Sequence, residues 1–355
     1  MFSLLVLILL LAVAAANGAN DVSKGVATLA GSGVTRYRTA ILWGALTTLA
    51  GGLLSGLFAE RMLKLFTQGI FSGPPTREFT LAVLCGTFGW VTLATVKKLP
   101  VSTTHAIIGS FIGAGASYAP ASVAWSGIIP KLALPLLLSI ALSYAISATL
   151  NRFFAVRSAS ASECFCVGVE MLETGVVQLP PLNALSASTS ECSKAEGYLR
   201  ASPEGLHWLS SGAVGFARGL NDAPKLAALG VGLLGARLGL LPLLMLVALA
   251  MCAGSFYAGR RVAHVLAEKV VRMNHKEGLL ANLATAILVG IGANLGLPMS
   301  TTHVSTAAIA GIAGASPERL NRHTVLELVK AWTITPLAAG SIAAASYQIG
   351  SRLFS

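Results

Sequence analysis

Ten stretches of this chain are apolar over lengths close to those that cross a membrane: 1–17, 39–58, 79–96, 101–118, 128–150, 206–235, 240–258, 279–297, 303–316 and 331–349. A helix needs about 20 such residues to span a hydrocarbon core of roughly 30 Å. Inside that core every backbone polar group must be satisfied within the segment, which leaves only helices and closed barrels. Long alternating strands are absent, so the barrel drops out. The pattern predicts an all-α, polytopic integral membrane protein with about ten crossings. Only 11% of the 355 residues are charged, against about a quarter in a soluble domain. The 37 glycines, with abundant Ala, Ser and Thr, suit helices that approach closely where lipid gives no hydrophobic drive to associate.

The net charge of +11 suggests nucleic acid at first sight, but its placement points to topology. If residue 1 starts outside and the ten segments alternate, 14 basic residues fall in inner loops and 6 in outer ones, as the positive-inside rule favours. No nucleic-acid partner is expected. The cell (plasma or inner) membrane is, with both termini outside and the central loop cytoplasmic. The N-terminal apolar stretch also has the look of a signal peptide. It lacks a basic start, however, and its end carries a motif that recurs, so it reads as the first membrane segment.

Residues 158–205 break the pattern. They are Ser-rich and hold six acids, Glu163, Glu170, Glu173, Glu191, Glu196 and Glu204, against Lys194 and Arg200. The stretch reads as a polar linker, partly disordered or loosely helical, between a first membrane repeat (1–157) and a second (206–355). Of five cysteines, Cys85 and Cys252 lie in apolar segments and suit plain packing. Cys164, Cys166 and Cys192 leave a metal or a disulfide open, although an inward loop disfavours the disulfide.

The two halves match. Asn20-Asp21-x-x-Lys24 returns 201 residues later as Asn221-Asp222-x-x-Lys225, and Pro100-Val-Ser-Thr-Thr-His105 returns 198 residues later as Pro298-Met-Ser-Thr-Thr-His303. The separation from Asn to Ser is 82 residues in one half and 79 in the other. Two motifs in one order at nearly one spacing mark an internal duplication. With about five crossings per half, an odd number, the second copy enters from the opposite side. That gives two inverted-topology repeats, with discontinuous or re-entrant helices and a site where the repeats meet.

The chemistry of the motifs follows. Proline ends a helix arriving from its N-terminal side, and the Ser and Thr after it are good N-caps. Each motif therefore predicts a helix restarting inside the membrane, its free N–H groups and positive dipole end aimed inward. Such an end takes anions. Ser102, Thr103 and Thr104 opposite Ser300, Thr301 and Thr302 offer six hydroxyls to a tetrahedral oxyanion. The carboxylates Asp21 and Asp222 each cost at least ~2.5–3.5 kcal/mol inside a membrane and need a proton or cation. With Asn20 and Asn221 they offer hard oxygen ligands to a monovalent cation, Na+ among them, and unwound backbone beside Gly18 or Gly219 would add carbonyls. Lys24 and Lys225, three residues on, are within helical reach of their aspartates, so a structural ion pair stays open. His105 and His303 can relay protons or simply hydrogen-bond a neighbouring helix.

Asn-Asp after Gly, then Pro-x-Ser-Thr-Thr-His, both duplicated, resembles the inorganic phosphate transporter (PiT) family across nearly the whole chain outside 158–205. The resemblance implies cation-coupled uptake of inorganic phosphate through an inverted-repeat helical fold. It further implies phosphate at Ser102, Thr103, Thr104, Ser300, Thr301 and Thr302, a cation (Na+ or H+) at Asn20, Asp21, Asn221 and Asp222, no other cofactor, and a homodimer. Against the family's usual Asn-Asp-x-x-Asn, both halves here carry lysine, and Thr47 and Asn282 stand where sodium-coupled animal members have glutamates. Lys24 and Lys225 are thus expected to shift coupling toward protons or fewer sodium ions. A sulfate or related oxyanion permease on the same scaffold, and an uncoupled anion channel, are the rival readings. A Ser-His-Asp hydrolase needs one triad, whereas every candidate here comes as a symmetric pair, so no enzyme is expected.

Overall fold

The computed structural model describes residues 2–73, 75–155, 202–314 and 316–354, and between 156 and 201 only the backbone of short strands. The first half contains α1 (Phe2–Asp21), α2 (Ser23–Gly31), α3 (Tyr37–Leu54), α4 (Ala59–Gln68), α5 (Arg77–Val96), α6 (Thr103–Tyr118), α7 (Trp125–Ile128) and α8 (Leu134–Ala155). A π-helical turn over Ile129–Ala133 joins the last two. The second half contains α9 (Pro203–Leu238), α10 (Leu240–Ala258), α11 (Arg260–Glu268), α12 (His275–Leu295), α13 (Thr301–Gly311) and α14 (Arg322–Phe354). The order repeats: a long helix carrying Asn-Asp, a membrane-length helix, a short helix, a second membrane-length helix, a Ser-capped helix and a long final one.

Local chemistry sets the helix ends. Thr76 caps α5, Ser102 caps α6, Ser202 caps α9 and Ser300 caps α13, each side chain accepting the N–H three residues on. Asn274 and Glu277 form a reciprocal capping box at α12. Gly296, at φ +71°, ends α12 in the left-handed region open to glycine.

Seven helices among the described residues are long and apolar enough to cross a membrane: Phe2–Gly31, Tyr37–Leu57, Arg77–Val96, Trp125–Phe154, Leu240–Ala258, His275–Leu295 and Arg322–Leu353. This corrects the expectation of ten. The runs at 101–118 and 303–316 become α6 and α13, of 16 and 11 residues, which begin at a serine cap inside the protein. The run at 206–235 becomes part of the 36-residue α9, which buries Arg218, Asp222 and Lys225. Leu42, Leu46, Ile287, Ile291 and Leu337 stand exposed on the outer faces of helices, as a bilayer requires.

The halves pack reciprocally: α1 lies on α10 while α9 lies on α3, and α6 lies on α14 while α13 lies on α8. Glycines set the first pair of crossings. A Cβ on Gly254 would lie 2.6 Å from the Ala15 Cα, and one on Gly51 would lie 3.0 Å from the Phe216 Cα. Only bare glycine backbone allows helices this close. Along α8, Ser143, Ser147 and Asn151 donate to the carbonyls of Val304, Ala308 and Ile312 at 2.6, 2.7 and 2.7 Å, one rung per turn.

The linker differs from its reading as loosely helical. Its described backbone forms five strands, β1 (Glu163–Gly168), β2 (Glu170–Met171), β3 (Val177–Gln178), β4 (Leu185–Ser188) and β5 (Tyr198–Ala201), in two antiparallel sheets ordered β4-β1-β5 and β2-β3. Cys192 lies outside the described residues, as do the side chains of Cys164 and Cys166, and with them the metal or disulfide reading.

Candidate functional site

The chain first builds each half of the site locally. In the first half, Asn20 holds the turn ahead of α6. Its Nδ2 donates to Thr95 Oγ1 and to the Leu99 carbonyl, both at 3.0 Å, and its Oδ1 accepts the Val101 N–H at 3.1 Å. In the second half, Asn221 Nδ2 donates to the Met299 carbonyl at 3.1 Å, ahead of α13. Each asparagine thus anchors the Pro-containing turn of its own half and aims the following helix end.

The halves then clasp. Thr104 Oγ1 donates to the Met299 carbonyl at 3.3 Å, and Thr302 Oγ1 donates to the Val101 carbonyl at 2.8 Å, the same bond in both directions. The Lys225 ammonium donates to Thr104 Oγ1 at 3.1 Å and to the Met299 carbonyl at 2.7 Å. Thr301 Oγ1 donates to Asp21 Oδ2 at 3.4 Å. His105 and His303 face each other at 4.6 Å between ring centroids, with the Trp332 ring 4.1 Å from His303.

The charges sit in pairs. Lys24 Nζ is 2.5 Å from Asp21 Oδ1, and Lys225 Nζ is 3.2 Å from Asp222 Oδ1. All residues of both motifs singled out in the sequence are buried except His105, which is partly exposed. Apart from His105, the site is buried in this structure.

Two features depart from expectation. The backbone beside Gly18 and Gly219 is not unwound: both are helical and buried at helix crossings. The first half is interrupted only at Val22, while α9 passes straight through Asn221-Asp222 despite Pro224. Tertiary packing of both faces outweighs the local break. Thr47 and Asn282 also stand apart from the clasp: Thr47 bonds the Trp43 carbonyl and Asn282 bonds Ser210.

Sequence reasoning missed Asn17 and Arg218. Asn17 Nδ2 lies 3.1 Å from Asp21 Oδ2, 3.1 Å from Thr103 Oγ1 and 3.5 Å from Asp222 Oδ2, tying both carboxylates to a helix end. Arg218 holds the matching place in the second half, 201 residues on. Its signal was available: an arginine in mid-run of an apolar segment, three residues before the Asn-Asp pair.

Chemically, two helix N-termini brought together among hydroxyls and lysines offer the kind of N–H, O–H and ammonium donors that suit an oxyanion. Both aspartates have their oxygens occupied by donors from the protein.

A family model described as the phosphate transporter family matches residues 17–343. A relative from Mycobacterium leprae, named "Probable low-affinity inorganic phosphate transporter", is 27% identical over 98% of this chain and 77% of its own. The chloroplastic inorganic phosphate transporter 2-1 of Arabidopsis thaliana is 25% identical over 95% of this chain and 70% of its own. A solved structure titled "The sodium-dependent phosphate transporter" superposes with a TM-score of 0.81, at 20% identity and covering 100% of both chains.

Proposed function

The chain belongs to the phosphate transporter family, and from that premise we propose that it is a secondary transporter importing inorganic phosphate together with a monovalent cation, Na+ or H+. The observation that carries this reading is the reciprocal clasp of Thr104 on Met299 and Thr302 on Val101. It brings the N-terminal ends of α6 and α13 together beside Asp21 and Asp222.

Phosphate enters this site by taking over the hydroxyl and ammonium donors that now bond to each other. Ser102 and Ser300 cap their helices and keep the ends preformed. Thr103, Thr104, Thr301 and Thr302, with the free N–H groups, then donate to phosphate oxygens. Neutral donors of modest strength hold an oxyanion without trapping it, as transport requires.

The lysines bear on coupling. Lys24 on Asp21 and Lys225 on Asp222 occupy the positions at the carboxylates that a mobile cation would take. Coupling then runs through protons or through fewer sodium ions. The reciprocal packing of α1 on α10 with α9 on α3, and of α6 on α14 with α13 on α8, supports residues 1–157 and 206–355 acting as inverted repeats that rock about the clasp, with the 158–205 linker on the cytoplasmic side.

The test is uptake of radiolabelled phosphate into proteoliposomes, with sodium and proton gradients imposed separately and sulfate as competitor. Uptake blocked by excess phosphate but not by sulfate is expected, with sodium dependence growing in Lys24→Asn and Lys225→Asn. Strict sodium dependence that both variants leave untouched would remove the coupling role of the lysines. Conductance without coupling to either gradient would replace the transporter by a channel.

A further inference from the structure

Arg218 is the largest fully buried side chain of the described residues, 1% exposed. It makes no ion pair within 4 Å among them. Its one hydrogen bond, from Nη2 to Ser255 Oγ, is long at 3.4 Å, and its Nε has no partner. Ser255, whose hydroxyl also donates to the Gly18 and Met251 carbonyls, holds it only at that long distance.

An arginine is almost never fully buried unless paired, because desolvating an ion without a partner is costly. What surrounds Arg218 explains its presence. Within electrostatic range it has Asp21 and Asp222, and Cys252 from α10. Lys24 lies in the same field. Each lysine is already spent on its own aspartate. The buried centre thus holds three cations against two carboxylates, a surplus of one positive charge that belongs to Arg218. The duplication makes the asymmetry plain, because the matching place in the first half is the neutral Asn17.

We propose that Arg218 is a tethered counter-cation for the transported oxyanion, supplying the positive charge that one mobile cation would otherwise bring with each phosphate. This rests on the phosphate reading above. A centre that starts one charge positive becomes neutral on taking singly charged phosphate, with no mobile cation at all. It becomes neutral on taking doubly charged phosphate with one. Without the guanidinium, each case needs one cation more. Neutrality matters because the loaded site must travel through a low-dielectric protein in a low-dielectric membrane, where a net charge is heavily penalised. Arg218 therefore sets the coupling stoichiometry, and it need not touch the phosphate to do so.

The test uses the full chain in liposomes. The ion gradient that just nulls net phosphate flux gives the number of cations moved per phosphate. Arg218→Gln is expected to raise that number by one over the unsubstituted protein, while Arg218→Lys, which keeps the charge, leaves it unchanged. A merely structural arginine would lower the rate of both variants and alter stoichiometry in neither, and that result overturns the proposal. Should Arg218→Gln fail to fold, the unsubstituted protein decides. Phosphate binding to the purified chain is measured in sodium-free, mildly acidic buffer, where phosphate is the monoanion. Binding whose affinity added sodium does not change supports the role. Binding that appears only with sodium overturns it while leaving the phosphate reading intact. Absence of binding with and without sodium removes the phosphate reading, and this inference with it.

Discussion

The ammonium of Lys225 donates to the hydroxyl of Thr104 at 3.1 Å, across 121 residues of chain. The lysine comes from the Asn-Asp motif of the second half and the threonine from the Ser-Thr-Thr motif of the first. That bond, with the clasps of Thr104 on Met299 and Thr302 on Val101, spans the boundary between the two halves. On the proposed reading, the donors that would bind the ion and the bonds that hold the halves together are the same groups, which would link opening to loading.

Thr104→Ala removes a partner of a buried ammonium. A hydrogen bond to a charged group contributes about 1.5–3 kcal/mol, equivalent to roughly ten- to a hundredfold in affinity. Phosphate uptake at sub-saturating concentration should fall by that order. Thr67→Ala is the control, since among the described residues the Thr67 side chain bonds only the Leu63 carbonyl of its own helix, and it should leave uptake unchanged.

Asp21→Asn strands the Lys24 ammonium in a fully buried position. Breaking a buried pair from one side costs about 3–5 kcal/mol, so the thermal midpoint of the purified protein should drop steeply. The double variant Asp21→Asn with Lys24→Met removes the stranded charge and should recover much of the loss. A double variant no more stable than the single one contradicts this reading.

Gly254→Val tests the helix crossings. Its side chain would meet the Ala15 backbone, whose Cα alone lies 2.6 Å from where a Cβ would sit and whose carbonyl lies nearer still. The α1–α10 contact must then spread, at a cost of about 1–3 kcal/mol or more, and the yield of folded, monodisperse protein should fall. Gly290→Ala has no atom within 4 Å of the added carbon and should behave as the unsubstituted chain on size-exclusion chromatography.

Arg319 grips Glu277 with two hydrogen bonds, 2.7 and 3.0 Å, and adds a third to the Arg272 carbonyl at 2.8 Å. Glu277 accepts these at the start of α12, where it also closes the capping box. The hydrogen bond and the negative charge of Glu277 hold the Arg319 pKa above its usual value. Because Arg319 is 38% exposed, its pair is screened by solvent, and Arg319→Ala should cost only about 1 kcal/mol. The loss should shrink at high salt when melting is followed in detergent.

Much of the molecule was readable from the chain. Apolar run length located the spanning helices, and Pro followed by Ser placed the caps at Ser102 and Ser300. Of the three runs that do not become separate crossings, those at 101–118 and 303–316 show the limit of hydropathy, which measures how long a segment is apolar and not at what depth its helix begins. The expected unwinding beside Gly18 and Gly219 failed for a related reason. Glycine there answers a need for close approach by Met251 and Thr48, and residues that distant leave no local mark.

What the sequence determined by itself is what acts within a few residues: helix, cap, break, and the pairing of Lys24 and Lys225 with their own aspartates. Only the tertiary structure decided that Asn17 reaches Asp222, that Thr104 meets Lys225, and that Arg218 joins a centre whose other cations are already paired. Those relations depend on two glycine-tight crossings between segments more than a hundred and fifty residues apart. Close packing sets the angle and depth of such crossings, and it exists only once both halves are folded against each other.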